Sequence, residues 1–546
     1  MSNGMNWSKK CCLPILAATI VAIALRLPLL EQRPMHGDEA VHAEKFRLLL
    51  EEDFYRYDRY EYHGPTLNYL TLIPARLSSA EKLTEVSEFT LRIVPVFFGV
   101  SLVLLLLLLA DGLGRTAAVC AAVLTAISPA MVFYSRYYIQ EMLLVCFTFG
   151  AITCGYRYTQ SRNITWALLT GMFLGLAHAT KETFIIAFDS MLLALVLTLL
   201  LRSRRNGPCG FIKAIRAVKP SHFIALVAAA VVVSALFYSS FLTNPNGILD
   251  SIRTYATYFD RARQNQSHIH PWHYYLKILI YYRYGSGPIW TEALIVFLAI
   301  VGFIVILRGK GLPSVNIHLL RFIGFYTLIM TVLYSVIRYK TPWCLLGFLH
   351  SMILLAGVGA VALVRLAPNV LPRVLIGLLL VAGGVHLTWQ AYLGSYKFYA
   401  DSRSPYVYAH PTTDVFTIVQ RVEEMARAHP DGYETPIQVI CPEYDYWPLP
   451  WYFRSFTRVG WWNKVDEDAA AAPIIIASTS VETELTDKLY ELTPPEERQM
   501  YLFLFDRPYY MWLRPKVKLL GLVRKDLWDR FQQQTQSIQP QTAGDK

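Results

Sequence analysis

Charge is scarce in this sequence. Asp, Glu, Lys and Arg make up 17% of its 546 residues, hydrophobic types make up 54%, and the mean hydropathy is +0.33. A soluble domain carries about 25% charged residues, so the shortfall speaks against a soluble chain. Cysteine offers no scaffold either. Eight are present and none forms a CxxC pair: Cys11, Cys12, Cys120, Cys146, Cys154 and Cys344 lie in or beside apolar stretches, Cys209 in a basic loop, and Cys441 alone near the end. That pattern excludes a disulfide framework. Internal repeats of a convincing period are absent as well.

What the chain has instead is apolar length. Eleven runs, at 11–30, 93–110, 114–134, 138–156, 164–180, 184–201, 221–242, 288–307, 319–337, 343–364 and 372–395, are candidates for membrane-spanning helices; about 20 apolar residues suffice to cross a bilayer. The first run is too long for a signal peptide, lacks a small-residue cleavage site and is followed by many more. The expected fold is an α-helical polytopic membrane protein with about eleven transmembrane helices. The formal net charge of +11 suggests nucleic acid only until it is located. With the N-terminus taken as cytoplasmic, Lys and Arg fill the loops on that side, most densely at Arg202, Arg204, Arg205, Lys213, Arg216 and Lys219. This is the positive-inside pattern; no nucleic-acid partner is implied.

Hydropathy falls after about residue 395. Short β-prone runs, "PIQVI", "PIIIAS" and "YLFLF", alternate there with helical patterns at 414–429 and 481–492, which predicts a small C-terminal extracytoplasmic α/β domain. The expected organisation is a membrane domain over 1–395 with external loops at 31–91 and 243–287, the α/β domain over 396–530, and a polar disordered tail over 531–546.

On this topology every chemically suggestive stretch faces outward: "PMHGDEAVHAE" (34–44), "YHGPTLNYL" (62–70), "SRYYIQE" (135–141), "ATKET" (179–183), the His- and Tyr-rich 257–287, and "RYKTPW" (338–343). Asp38 and Glu39 stand just beyond the first span, where partial desolvation suits a carboxylate to accept a proton from a nucleophile. Glu141 opens a later span at the same depth. Arg136, Lys181, Arg338 and Lys340 gather at external helix ends among aromatics, a pattern suited to an anionic lipid headgroup. "YHGP" is a rigid turn presenting Tyr62 and His63 to a ligand. Glu39, His42 and His63 are candidate ligands for a divalent metal, although the pattern is not HExxH.

Together these residues resemble the GT-C superfamily of polyprenyl-phosphate-dependent glycosyltransferases, in its protein O-mannosyltransferase and aminoarabinose-transferase-like branch. The Asp-Glu pair of "HGDEA", the turn "YHGPTLNYL" with Gly64 where the branch has proline, and "SRYYIQE" carry the likeness. The chain is most similar to archaeal and bacterial proteins described as flippase-activity-associated in N-glycosylation, through "ATKE", "YKTPW", "YAHPTTD" (408–414) and "DYWPLPWYFR" (445–454). The resemblance implies transfer of a sugar from a polyprenyl-phosphate donor to an extracytoplasmic acceptor with inversion. Asp38 would be the base and Glu39 and Glu141 its assistants, while Arg136, Lys181 and Lys340 would neutralise the leaving phosphate. Membrane lipids and glycosylation-pathway proteins are the implied partners. The alternative is a non-catalytic or transport-associated protein assisting translocation of lipid-linked oligosaccharide. Transporters, however, carry interrupted helices and mid-membrane charges in paired halves, whereas these charges cluster at one face.

Overall fold

The structure is a computed structural model describing residues 9–60, 63–206, 217–264, 268–309 and 315–538. It divides into two compact units. One comprises Met1–Leu30, Leu48–Glu81 and Glu88–Tyr408; the other comprises Glu31–Arg47, Lys82–Ser87 and Ala409–Lys546.

The first unit is helical, and helices cover most of each of the eleven apolar runs. By length and composition, six stretches among the described residues can cross a membrane: Glu88–Leu113, Phe184–Ser203, Pro220–Tyr238, Ile317–Val336, Pro342–Leu366 and Val370–Lys397. Four shorter apolar helices accompany them, at Cys11–Arg26, Arg115–Ile127, Ile164–His178 and Ala293–Arg308. Burial sorts the long ones. Pro342–Leu366 is 83% buried and lies inside the bundle, whereas Val370–Lys397 is 6% buried and turns Leu371, Leu375, Leu378 and Leu379 outward. So large an apolar face is stable only against lipid.

Close backbone approach binds the interior. A Cβ on Gly302 would lie 2.2 Å from the Leu355 carbonyl oxygen, and one on Gly359 would lie 2.0 Å from that of Leu298. The helices Ala293–Arg308 and Leu346–Leu366 therefore meet through glycine, as membrane helices without a hydrophobic drive between them commonly do. Two of the charges buried here are held by several hydrogen bonds each. Arg26 is fully buried and donates to the carbonyls of Ala126 and Thr125 and to Ser135 Oγ. Glu292 accepts from Ser128 Oγ, the Ala130 amide and the Tyr406 hydroxyl.

The second unit is built on a six-stranded sheet. Strand β1 (Ile437–Ile440) pairs in parallel with β2 (Val459–Trp462) and with β3 (Ile474–Ser478). Strand β3 pairs antiparallel with β6 (Val517–Arg524), whose other edge takes β4 (Tyr501–Phe503) and β5 (Tyr510–Arg514). Ile474 and Ile476 face a core with Val415, Ile418, Val422 and Met425 of the helix Asp414–Ala428. Ile475 and Ala477 face another with Val481, Leu485 and Leu489. A strand covered on both sides has no polar face to show, which explains the unbroken "PIIIA". The sequence predicts all of 31–91 as a loop of the membrane domain; in the structure two pieces of it, 31–47 and 82–87, belong to this sheet unit.

Candidate active site

In the second unit, "HGDEA" opens the helix Gly37–Glu52. The His36 amide donates to Glu39 Oε2 (2.9 Å), and the Asp38 amide donates to His36 Nδ1 (3.1 Å). This is a reciprocal N-terminal cap, with a histidine nitrogen accepting from the second helical amide where a hydroxyl oxygen is usual. The adjacent acids have opposite surroundings. Glu39 is fully buried and accepts from Arg33 Nη2 at 2.9 Å, while the Asp38 side chain is 53% exposed. Arg33 also approaches His410 Nε2 at 3.4 Å, and His410 Nδ1 donates to the Pro411 carbonyl at 2.8 Å. Burial, followed by the nearby Arg33 and His36, holds His410 well below the ordinary histidine value. The Met35 amide donates to the Tyr452 hydroxyl at 2.8 Å.

In the first unit, "HGPT" (63–66) packs on "ATKET". A Cβ on Gly64 would stand 2.2 Å from the Ala179 carbonyl oxygen, so glycine is what allows the two turns to meet. The Thr66 amide donates to that carbonyl (3.2 Å), and the Thr66 and Thr180 hydroxyls bond at 2.8 Å. The junction sets His63 Nδ1 2.8 Å from Glu182 Oε2, with the Tyr57 hydroxyl donating to Glu182 Oε1 at 3.2 Å. The Glu182 carboxylate is buried and His63 is partly exposed. Burial works to raise the Glu182 carboxyl, but His63 and then Lys181 prevail and hold it below its ordinary value.

Lys181 is bonded to Glu141, both side chains being buried. Burial alone would lower the lysine; the Glu141 carboxylate overrides it and raises the ammonium above its ordinary value. Glu141 lines a cleft with Thr183, Tyr334, Trp343 and Cys344. The remaining cations are placed differently. Arg136 donates to the carbonyls of Arg26, Pro28 and Leu29 and lies over the Tyr396 ring. Lys340 is buried and donates to the carbonyls of Ile337 and His270. Arg338 is exposed. The two histidines His268 and His270 both reach the Tyr408 hydroxyl, at 2.5 and 3.2 Å.

Tyr62 lies outside the described residues. Among the described residues no three or more His, Cys, Asp and Glu side chains stand together as metal ligands. Glu39 is engaged by Arg33 and the His36 amide, and His63 Nδ1 by Glu182. Glu182, Arg33 and His410 are not among the candidate residues that the sequence predicts. A charge pair inside the five-residue turn 179–183 is the available signal for Glu182; His410 lies in the "YAHPTTD" motif, and Arg33 carries none.

The fold of this chain is shared with that of solved structures. It is shared with ArnT from Cupriavidus metallidurans bound to undecaprenyl phosphate, at 15% identity and a TM-score of 0.60, over 94% of this chain and 97% of that one. It is also shared with the oligosaccharyltransferase AglB from Archaeoglobus fulgidus, in complex with an inhibitory peptide and a dolichol-phosphate, at 13% identity and a TM-score of 0.54, over 96% of this chain and 77% of that one. Within it, residues 73–244 match the family described as dolichyl-phosphate-mannose-protein mannosyltransferase. No curated protein matches the chain by sequence.

Proposed function

We propose that this chain transfers a sugar from a polyprenyl-phosphate donor to an extracytoplasmic acceptor, with inversion at the anomeric carbon. The observation that carries the reading is the pairing of a half-exposed Asp38 with a wholly buried Glu39, in a fold shared with a protein bound to undecaprenyl phosphate. Asp38 accepts the proton of the acceptor nucleophile as its oxygen or nitrogen bonds to C1. The bond from C1 to the phosphate oxygen breaks, and its electron pair leaves with the polyprenyl phosphate. Lys181 neutralises the charge that grows on that oxygen, with Glu141 holding the ammonium until the phosphate competes for it. Arg338 adds an exposed cation, while Arg136 and Lys340 hold backbone. His63 contacts the substrate and is oriented by Glu182. No step is routed through a metal. Eleven spans with a cytoplasmic N-terminus would set the sheet unit outside.

The test is transfer by the full chain in lipid vesicles supplied with a polyprenyl-phosphate sugar. Asp38→Asn should lower transfer by more than about 100-fold while leaving donor binding intact. Undiminished transfer by Asp38→Asn, or translocation of the headgroup without transfer, would sink the reading.

A further inference from the structure

Two tail motifs have no part in the chemistry above, yet both hold the first external loop. His410 of "YAHPTTD" meets Arg33, and Tyr452 of "DYWPLPWYFR" accepts from the Met35 amide at 2.8 Å. Arg454 of the same motif donates to the carbonyls of Leu83 (3.2 Å) and Val86 (3.1 Å), with its guanidinium 3.8 Å from the Trp451 ring centre. The two stretches so held flank the loop, one at 33–39 and the other at 83–86.

Stability alone is a poor explanation for this arrangement. Arg33, His36, Glu39 and His410 are all buried, and buried ionic groups are commonly no more stabilising than apolar ones of the same volume. What such a network supplies is a single geometry. Glu39 and Asp38 are successive residues of one helical turn, so their side chains diverge by about 100° around its axis. Fixing Glu39 against Arg33 therefore fixes the direction of Asp38.

We infer that His410 and Tyr452 are positioning residues for Asp38: the sheet unit is a part of the catalytic apparatus that orients the proton-accepting carboxylate. This rests on Asp38 acting as the base.

The test uses the full chain in lipid vesicles, with kinetics of transfer from a polyprenyl-phosphate sugar and hydrogen exchange of the 37–43 amides. His410→Ala and Tyr452→Phe should lower kcat about 10- to 100-fold with KM for the donor within about twofold. They should also accelerate exchange at 37–43, and His410→Gln, which keeps an acceptor for Arg33, should recover most of both. Combined with Asp38→Asn, His410→Ala should cause no further loss, because it acts through a group already removed. Unchanged exchange at 37–43 overturns the inference even where a variant is poorly active, as does a loss that adds in full to that of Asp38→Asn. Full transfer by Asp38→Asn alone overturns the underlying reading instead, and is distinguishable from both.

Discussion

Asp38 and Glu39 are neighbours in sequence with opposite surroundings: the Asp38 carboxylate is half exposed, and that of Glu39 is sealed against Arg33. Substitution should therefore separate chemistry from stability. Asp38→Asn is expected to lose transfer by more than about 100-fold with an unchanged thermal midpoint. Glu39→Gln leaves the buried Arg33 without its counter-charge and should cost about 3–5 kcal/mol of stability. Differential scanning of both variants in detergent, beside their transfer rates, checks the split.

Lys181 and Glu141 form a second buried pair. Lys181→Met strands the Glu141 carboxylate, so it should lower both the thermal midpoint and donor affinity. Adding Glu141→Leu should restore the midpoint, since an apolar pair replaces an ionic one at little net cost, but donor affinity should stay lost. Recovery of affinity in the double variant would argue against Lys181 as the phosphate ligand.

Gly64 is expected to accept no side chain. Gly64→Ala pushes a methyl into the Ala179 carbonyl, parting the turn that joins His63 to Glu182. Overpacking of this kind costs about 1–3 kcal/mol, and thermal melting reads it directly. Glu182→Gln should leave the backbone junction intact yet reduce transfer, because it removes the charge that orients His63.

His410 should make stability fall with acid. Its value in the folded chain lies well below the ordinary 6.5, through burial and then Arg33 and His36, with Glu39 opposing. The unfolded chain therefore takes up the proton first, and stability is lost as pH drops below about 6.5. The thermal midpoint of the wild type should decline between pH 7 and 5 more steeply than that of His410→Gln. Glu182 contributes at lower pH: with its folded value depressed, the stability it supplies is intact above about 4.5 and disappears as pH falls beneath it.

The membrane helices were legible because lipid imposes one requirement, unbroken apolar length, that composition records directly. The sheet unit was legible for a related reason: "PIQVI" and "PIIIAS" became β1 and β3 through β-branched runs of strand length. The site was legible only as residue types. Lys181, Glu141, His63 and Asp38 were identifiable, but nothing in local pattern joins His63 to Glu182 across 119 residues. Arg136 and Lys340 illustrate the converse. Interfacial cations were expected to face a phosphate, and the structure turns both onto backbone carbonyls, whose uncompensated dipoles at the ends of chain segments attract the same charge. Sequence shows that a cation is present; it does not say which anion or dipole claims it.

The bond between Arg33 and His410 also sets an order of events during synthesis. Its partners are 377 residues apart, and translation proceeds at about 5–20 residues per second. The segment bearing Asp38 thus leaves the ribosome roughly 20–75 s before the residues that seat it exist. Throughout that interval the Arg33–His410 contact cannot form. If His410 orients Asp38, the nascent chain acquires its reactivity last, when the sheet unit is complete.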